Sequence, residues 1–455
     1  MSYEHNIRHP RSHVLVQLNT NAMTLRMLES EVLDAPAMQA PPVGPVCSLA
    51  YLFSQYPMLS MTFVIREVRQ LRKMGFHIDT ASINPPDRTQ EGLTAEEAEE
   101  AARTYHLKTH GPAGIKAHCQ TFFSNFSGYC RGLRLVMRLG GLDLKRLAFN
   151  FMYFTEALMV GVWMKRTKKR HLHVHLGQQA ATVGMYVRQT FNVGFSITVH
   201  GPDEFYDARG QYLEQKIAAA DFICCISFFC RSQLMKLSPH IHWKKLVVSR
   251  LGVDPAVFSP RPGRAEPDVF EILCVGRLTP AKGQHILIDA MDRLSQQGRR
   301  VKLRIVGQGQ DEPSLRKRAA RLENPECIVF EGAVNQDRIR TLYQAADVFC
   351  IPSFAEGIPV VLMEAMAMEI PCVTTHITGV PELIRNGLDG LLVAPSDLEG
   401  LTEALARLMD DAALRERIAK SGRARVMEHY DLSRSVEKLA SIFSERIHKG
   451  TRELT

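Results

Sequence analysis

The 455-residue sequence contains no complete Gly-x-Gly-x-x-Gly, no paired two-residue cysteine spacing and no recognisable nucleic-acid-binding motif. Without that glycine fingerprint, and without an acidic residue about 20 positions beyond it, a nicotinamide dehydrogenase is disfavoured. The cysteines do not form a zinc framework: ten are scattered, Cys224 and Cys225 are adjacent, and Cys230 follows without a partner at ligand spacing. Such a set suits a reduced, cytoplasmic chain with buried thiols. The opening Met1-Ser-Tyr-Glu-His-Asn-Ile-Arg-His-Pro lacks the apolar core of a secretory signal, so no export is expected.

The hydrophobic share of 45% and charged share of 23% are those of an ordinary globular protein. The length exceeds a single core, which favours two domains and therefore a cleft between them. Strand-like runs alternate with helical ones in both halves, predicting an α/β fold of parallel sheets covered by helices, doubly wound in each domain. Residues 1–44 stand apart as a loosely attached extension, open to disorder, although Val14-Leu-Val-Gln-Leu has strand character before Pro41-Pro42. A boundary is expected between Pro255 and Pro267, where Pro260, Pro262, Gly263 and Pro267 interrupt the pattern. This divides the chain into 45–254, 255–430 and a terminal helix over 431–455. Thr94 and Glu97 form a capping-box pattern opening the acidic helix Glu96-Glu97-Ala-Glu99-Glu100, read as a solvated face.

The most informative stretch is Ser353-Phe-Ala-Glu356-Gly357-Ile358-Pro359-Val-Val-Leu-Met-Glu364-Ala. The apolar run Ala346-Asp-Val-Phe-Cys-Ile-Pro352 before it is of strand type, and Pro359 to Met368 is rich in helix formers, with a proline suited to the first helical turn. A strand–turn–helix junction aims free backbone amides and the positive helix end at whatever lies above the strand, which suits a phosphate or diphosphate. Glu356 falls in the turn. Glu364 lies roughly 7 Å beyond Pro359 along the helix, at 1.5 Å per residue, so the carboxylates would flank the anion and accept hydroxyl hydrogen bonds on either side of it. An ordinary dipole complement is the bland alternative for such acids. A second junction tips the balance: Val275-Gly-Arg277-Leu-Thr-Pro-Ala-Lys282-Gly283 follows the strand-like Phe270-Glu-Ile-Leu-Cys274. It supplies a guanidinium and an ammonium for a departing diphosphate.

These motifs, with Pro371-Cys-Val-Thr-Thr, Gly379-Val-Pro381-Glu382 and Gly387 to Pro395, resemble the retaining GT-B glycosyltransferases of family 4, over about Tyr51 to Phe443. This family includes bacterial exopolysaccharide and lipopolysaccharide sugar transferases. The resemblance implies two Rossmann-like doubly wound domains facing an interdomain cleft, with the terminal helix packing back on the first domain. It implies hexosyltransferase-like activity from a nucleoside diphosphate sugar to an acceptor glycan, without a cofactor or a catalytic metal, and no Asp-x-Asp is present to hold one. By the same resemblance Glu356 binds the donor sugar, Glu364 the ribose, and Arg277 and Lys282 the diphosphate. His200 in Ile197-Thr-Val-His200-Gly201-Pro-Asp203 binds the donor sugar from the other domain. Gly357, Ile358 and Pro359 belong to the donor motif, and Gly307 in Leu303-Arg-Ile-Val-Gly307-Gln-Gly309 is a turn beside the nucleotide, or simply a tight turn. Two positions depart from the pattern: Met61 replaces an acidic or amide residue near the acceptor, and Glu369 stands where glycine is usual.

Charge is uneven. From Arg103 to Arg170 there are thirteen Lys and Arg against Asp143 and Glu156, a net of +11 that exceeds the +8 of the whole chain. An anionic membrane surface carrying a lipid-linked acceptor is favoured over nucleic acid, with a solvated basic face equally open. The location implied is cytoplasmic, peripheral at the inner face of the membrane. The apolar stretch Leu147 to Met164 contains Asn150 and Glu156 and is short for a span, so a buried or interfacial helix is expected. His171, His173 and His175 alternate on one strand face, but are read as structural, not as metal ligands. Two readings stay open besides transfer: a nucleotide-sugar 2-epimerase or hydrolase on the same fold, and a non-catalytic GT-B subunit.

Overall fold

The computed structural model describes residues 47–109, 112–260 and 268–452. The extension over 1–44 and the proline cluster from Pro262 to Pro267 lie outside them. Thirteen strands occur among the described residues: β1 (Ser48–Gln55), β2 (His77–Asn84), β3 (Tyr105–His106), β4 (His171–His175), β5 (Gly194–Val199), β6 (Phe222–Cys225), β7 (Leu246–Val248), β8 (Phe270–Val275), β9 (Val301–Val306), β10 (Ile328–Gly332), β11 (Val348–Ile351), β12 (Cys372–Thr375) and β13 (Leu391–Val393). They form a seven-stranded sheet in the order β3-β2-β1-β4-β5-β6-β7 and a six-stranded sheet in the order β10-β9-β8-β11-β12-β13.

Every pairing is parallel; β8, for example, runs in register with β9 from Phe270 opposite Val301 to Val275 opposite Val306. Parallel sheets are covered on both faces, which is why β11, Val-Phe-Cys-Ile, is an unbroken apolar run in place of an alternating one. In both sheets the winding reverses beside the first strand, between β1 and β4 and between β8 and β11. Ligands of such sheets bind at that switch point, outside the carboxyl ends of the strands. His200, Arg277, Gly307 and Glu356 all lie just past the carboxyl end of a strand.

The chain returns to the first lobe at its end. Val253 and Asp431 form a parallel bridge, after which helix Leu432–Arg452 buries Val436, Leu439, Ala440, Ile442 and Phe443 against Tyr51, Phe53 and Phe222. The capping box at Thr94 is present, but the acidic helix is not merely a solvated face. Glu97 and Glu100 are buried, Glu97 pairing with Arg88 at 2.8 Å and Glu100 with Arg72 at 2.6 Å. A capping pattern does not reveal which carboxylates meet arginines from elsewhere in the chain. Helix Leu144–Arg166 is long and apolar enough to cross a bilayer by length and composition. Its C-terminal half, including Phe154, Leu158, Val160, Trp163 and Met164, lies in the core of the first lobe.

Candidate active site

In the second lobe the site is built from the loops after β8 and β11. Gly283 adopts φ +63° and opens helix Gln284–Gln296; a Cβ there would stand 2.3 Å from the Pro352 carbonyl oxygen, so only glycine lets the loops approach this closely. Phe354 N–H donates to the Ala281 carbonyl at 2.8 Å and locks them together. This delivers the Lys282 ammonium to Glu356 Oε1 at 2.5 Å, and the Ser353 hydroxyl donates to the same oxygen at 2.7 Å. Glu356 is buried, so its charge is tolerated because it is paired and hydrogen-bonded. The Thr375 hydroxyl fixes the Ser353 carbonyl at 2.5 Å, and the Thr378 hydroxyl donates to the carbonyl of Glu356.

Arg277 is 62% exposed and reaches across to Asp203 of the first lobe at 3.5 Å. Its carbonyl accepts from the Gln284 amide at 3.0 Å. Gly307 has a structural reason for being glycine, since a Cβ at its φ of +135° would lie 2.0 Å from the Gly276 carbonyl oxygen. Helix Val360–Ala367 begins one residue after Pro359, which serves as its N-cap. Glu364 accepts from Tyr343 Oη at 3.0 Å. Burial pushes its carboxyl up to about 7, against the opposing charge of Arg66 and the tyrosine hydrogen bond. Arg66 comes from helix Thr62–Lys73 of the first lobe, with its guanidinium 5.4 Å over the Phe258 ring. Glu356 and Glu364 thus engage different partners.

The first lobe contributes His200 from a buried polar relay. The Glu204 carboxylate accepts from the backbone N–H of His200 at 2.5 Å and of Gly201 at 2.9 Å, and from Gly177 N–H. His200 Nε2 lies 3.0 Å from His175 Nδ1, and His175 Nε2 lies 3.0 Å from Glu67 Oε1, which also accepts from Tyr51 Oη at 3.0 Å. Burial, reinforced by His175, holds the His200 imidazole well below its usual range, so it is neutral near pH 7. With the Glu67 carboxylate accepting at one end, a neutral His175 would accept at Nδ1 from His200 Nε2–H and leave His200 Nδ1 unprotonated. His171 and His173 bond to Ser196 and Thr198 at 2.7–2.9 Å, and no cluster of three metal-ligating side chains occurs among the described residues.

The lobes touch where these two parts meet. A Cβ on Gly357 would stand 2.1 Å from the His200 carbonyl oxygen, and one on Gly201 would stand 3.0 Å from Gly357 Cα. Nearby, the Glu382 carboxylate accepts from the N–H groups of Phe228 and Phe229 at 2.9 and 2.8 Å. It thereby caps a first-lobe helix from the second lobe. The structure therefore gathers His200, Gly357, Glu356 and Lys282, pairs the exposed Arg277 with Asp203 of the opposite lobe, and places Glu364 one helix turn and more beyond Ile358 and Pro359. Sequence reasoning missed Glu67, His175, Glu204, Ser353 and Asp203 and gave Glu382 no role. Ser353, Asp203 and Glu382 stood inside the motifs quoted above and His175 in the alternating histidine strand, whereas Glu67 and Glu204 carried no signal.

Residues 259–425 match the family described as Glycosyl transferases group 1; the chain carries that domain, and its two parallel-sheet α/β lobes have the GT-B fold. It is similar to the protein of Escherichia coli (strain K12) named as a colanic acid biosynthesis glycosyltransferase, WcaL, 29% identical over 79% of this chain and 89% of the relative. It is also similar to the amylovoran biosynthesis glycosyltransferase AmsK of Erwinia amylovora, 26% identical over 87% of this chain and 98% of that one. Among solved structures, Anabaena HepE in complex with UDP and glucose superimposes with a TM-score of 0.67 at 16% identity, over 88% of this chain and 100% of that one; this likeness concerns the fold.

Proposed function

We propose that this glycosyltransferase moves a sugar from a nucleoside diphosphate sugar to an acceptor hydroxyl with retention of anomeric configuration, in exopolysaccharide or lipopolysaccharide assembly. The observation that carries the reading is the Ser353–Glu356–Lys282 cluster, pressed against His200 and Gly201 of the opposite lobe. In this reading residues 45–254 are the acceptor side, 255–430 the donor side and 431–455 the helix that ties them. Lys282 and Arg277 neutralise the leaving diphosphate as the sugar becomes oxocarbenium-like, together with amides of the Gly357-Ile358-Pro359 turn. Glu356 orients the sugar hydroxyls, His200 contacts the sugar from across the cleft, and Glu364 takes the ribose. A leaving phosphate oxygen deprotonates the acceptor on the same face. The names of the two bacterial relatives support a polysaccharide context, and the basic Arg103–Arg170 region supports a lipid-linked acceptor at an anionic inner membrane face.

The test is a thermal-shift screen of UDP-, GDP- and ADP-sugars, since a ligand bound only by the folded state raises its apparent stability, followed by product analysis with glycan acceptors. One donor should stabilise the protein and yield an acceptor-dependent, configuration-retained product. Acceptor-independent turnover would identify an epimerase or hydrolase instead. Donor binding without any turnover would mark a non-catalytic subunit.

A further inference from the structure

Large apolar side chains on the surface of this protein are not scattered. Of the sixteen that are exposed among the described residues, eleven fall between Ile115 and Met152. Ten sit on three mutually packed helices of the first lobe, Ala113–Ser124, Phe126–Gly140 and Leu144–Arg166, and Leu142 lies in the turn between the last two. Helix Phe126–Gly140 is amphipathic with an apolar stripe on its outer side. Its inner positions are Gly128, Gly132, Val136 and Gly140, spaced by four, and the glycines admit Phe154 and Leu147 of the neighbouring helix where a Cβ would collide. Its outer side carries Phe126, Leu133 and Met137. Ile115 and Phe122 are seven apart on the preceding helix, as are Leu144 and Phe151 on the following one, the same outward periodicity. Phe122 joins two of the helices by edge contacts to Phe123 and Phe126 at 5.3 and 5.0 Å.

A contiguous exposed apolar area of this kind marks an interaction site in place of an ordinary surface. Its charges say what covers it. Lys116, Arg134, Arg138, Lys145 and Arg146 are exposed among these side chains, and the sole acid from Ile115 to Met152, Asp143, is tied into the start of its helix by the Lys145 and Arg146 N–H groups. Aromatic and aliphatic side chains bordered by arginine and lysine match the acyl–headgroup boundary of an anionic bilayer. Helix Leu144–Arg166 leads directly into β4, so its start, with fully exposed Leu142 just before it, lies at the edge where the strands end. There Asn150 donates to Tyr212 Oη at 2.9 Å, in the segment following His200.

We propose that this three-helix face inserts its apolar side chains into an anionic membrane surface and so holds the cleft at the level of a lipid-borne acceptor. The placement deepens the lipid-linked-acceptor reading given above and rests on it for the acceptor alone. The test compares the full chain with a Phe123→Ser/Leu142→Ser/Leu144→Ser variant and with Arg134→Gln/Arg138→Gln, in sedimentation with vesicles of phosphatidylcholine with or without one-third phosphatidylglycerol. The three apolar positions are 84%, 101% and 81% exposed, so the fold should be unchanged, checked by melting temperature. Binding of the parent chain should need phosphatidylglycerol and persist in part at high salt, because insertion is not screened. The apolar variant should lose tenfold or more of its partitioning, and the arginine variant about fivefold per charge.

Several results would overturn the proposal: equal binding by the parent and the apolar variant, binding indifferent to the anionic lipid, or no vesicle binding by the parent chain. A parent chain that self-associates and is dispersed by the apolar substitutions would give the face to a second copy. Glu356→Ala should bind vesicles normally while losing transfer, and the apolar variant should keep turnover on a short soluble acceptor. The membrane proposal and the catalytic reading can therefore fail separately.

Discussion

The two lobes share a winding pattern but are made differently. The second is conventional: its strands and helices enclose a nearly unbroken apolar core, and its candidate site residues lie in the loops above the sheet, save Glu364 on the helix beyond them. In the first, histidine, serine, threonine, glutamate and lysine penetrate the interior, with His171, His173, His175, Ser196, Thr198, Glu67, Glu204 and Lys216 all buried, while large apolar side chains stand outside on three helices. Buried polar groups are stable only when their bonds are complete, and here they are chained: the Lys216 ammonium, pushed down to about 7 by burial, donates to the carbonyls of Gly177 and Gln178 at 2.7 Å, beside the carboxylate that fixes His200. The second lobe carries its paired site residues in loops above its core, whereas the first ties its site to its core.

The largest effect expected from breaking this contrast is in the second lobe. Lys282→Ala and Glu356→Ala should each lower the transfer rate by about 10²–10³-fold, with a cooperative unfolding transition retained; full activity in both would remove the assigned roles. In the first lobe, His175→Ala should damage both properties at once. It leaves Glu67 and His200 without their shared partner, costing about 2–4 kcal/mol of stability along with activity, to be read from denaturant melts and initial rates. Loss of activity at unchanged stability would show the relay to be independent of the core.

A pH experiment separates the lobes further. Burial raises the Glu156 carboxyl from its ordinary value to about 7, opposed by Lys108, so the folded state keeps a proton that the unfolded state releases between about pH 4.5 and 7. Stability from this group is therefore full below about pH 4.5 and declines as pH rises to about 7, by about 1–3 kcal/mol. Glu364 in the second lobe has a shift of the same sign. Glu156→Gln should flatten roughly half of the slope, and an unaltered profile would contradict its buried, protonated state. The smallest effect concerns Glu369, whose φ of +56° follows a helix end where Ile370 N–H bonds to the Ala365 carbonyl at 3.0 Å. Glu369→Gly should raise stability by about 0.5–1 kcal/mol by relieving the left-handed backbone, measurable as a small rise in melting temperature.

How far the sequence could be read followed the same division. In the second lobe, strand β11, the Glu356 turn and the helix after it are consecutive, so the junction was legible from local spacing, as was the loop that carries Arg277 and Lys282. Glu97 and Glu100 misled because their arginines come from positions that no local pattern links to them. The relay behind His200 was hidden for the same reason: Glu67 lies 108 residues from His175, and an apolar strand interrupted by three histidines does not say which of them has a carboxylate behind it. The basic stretch from Arg103 to Arg170 was visible as charge, but the outward turn of Phe123, Leu133 and Met137 depends on glycines packing inward, which periodicity alone assigns to neither side.

By itself, then, the sequence determined two parallel α/β lobes, the strand–turn–helix that carries Glu356 and Glu364, and the cationic loop preceding it, because each is set by backbone geometry within a dozen or so residues. Only tertiary structure decided that Lys282 meets Glu356, that Gly357 touches the His200 carbonyl, that Glu382 clasps the opposite lobe, and which helical faces stay uncovered. Those outcomes depend on closing chain segments of up to 157 residues, the separation of His200 and Gly357, and they are settled by how the sheets and helices fill space around one another, which no local run of residues encodes.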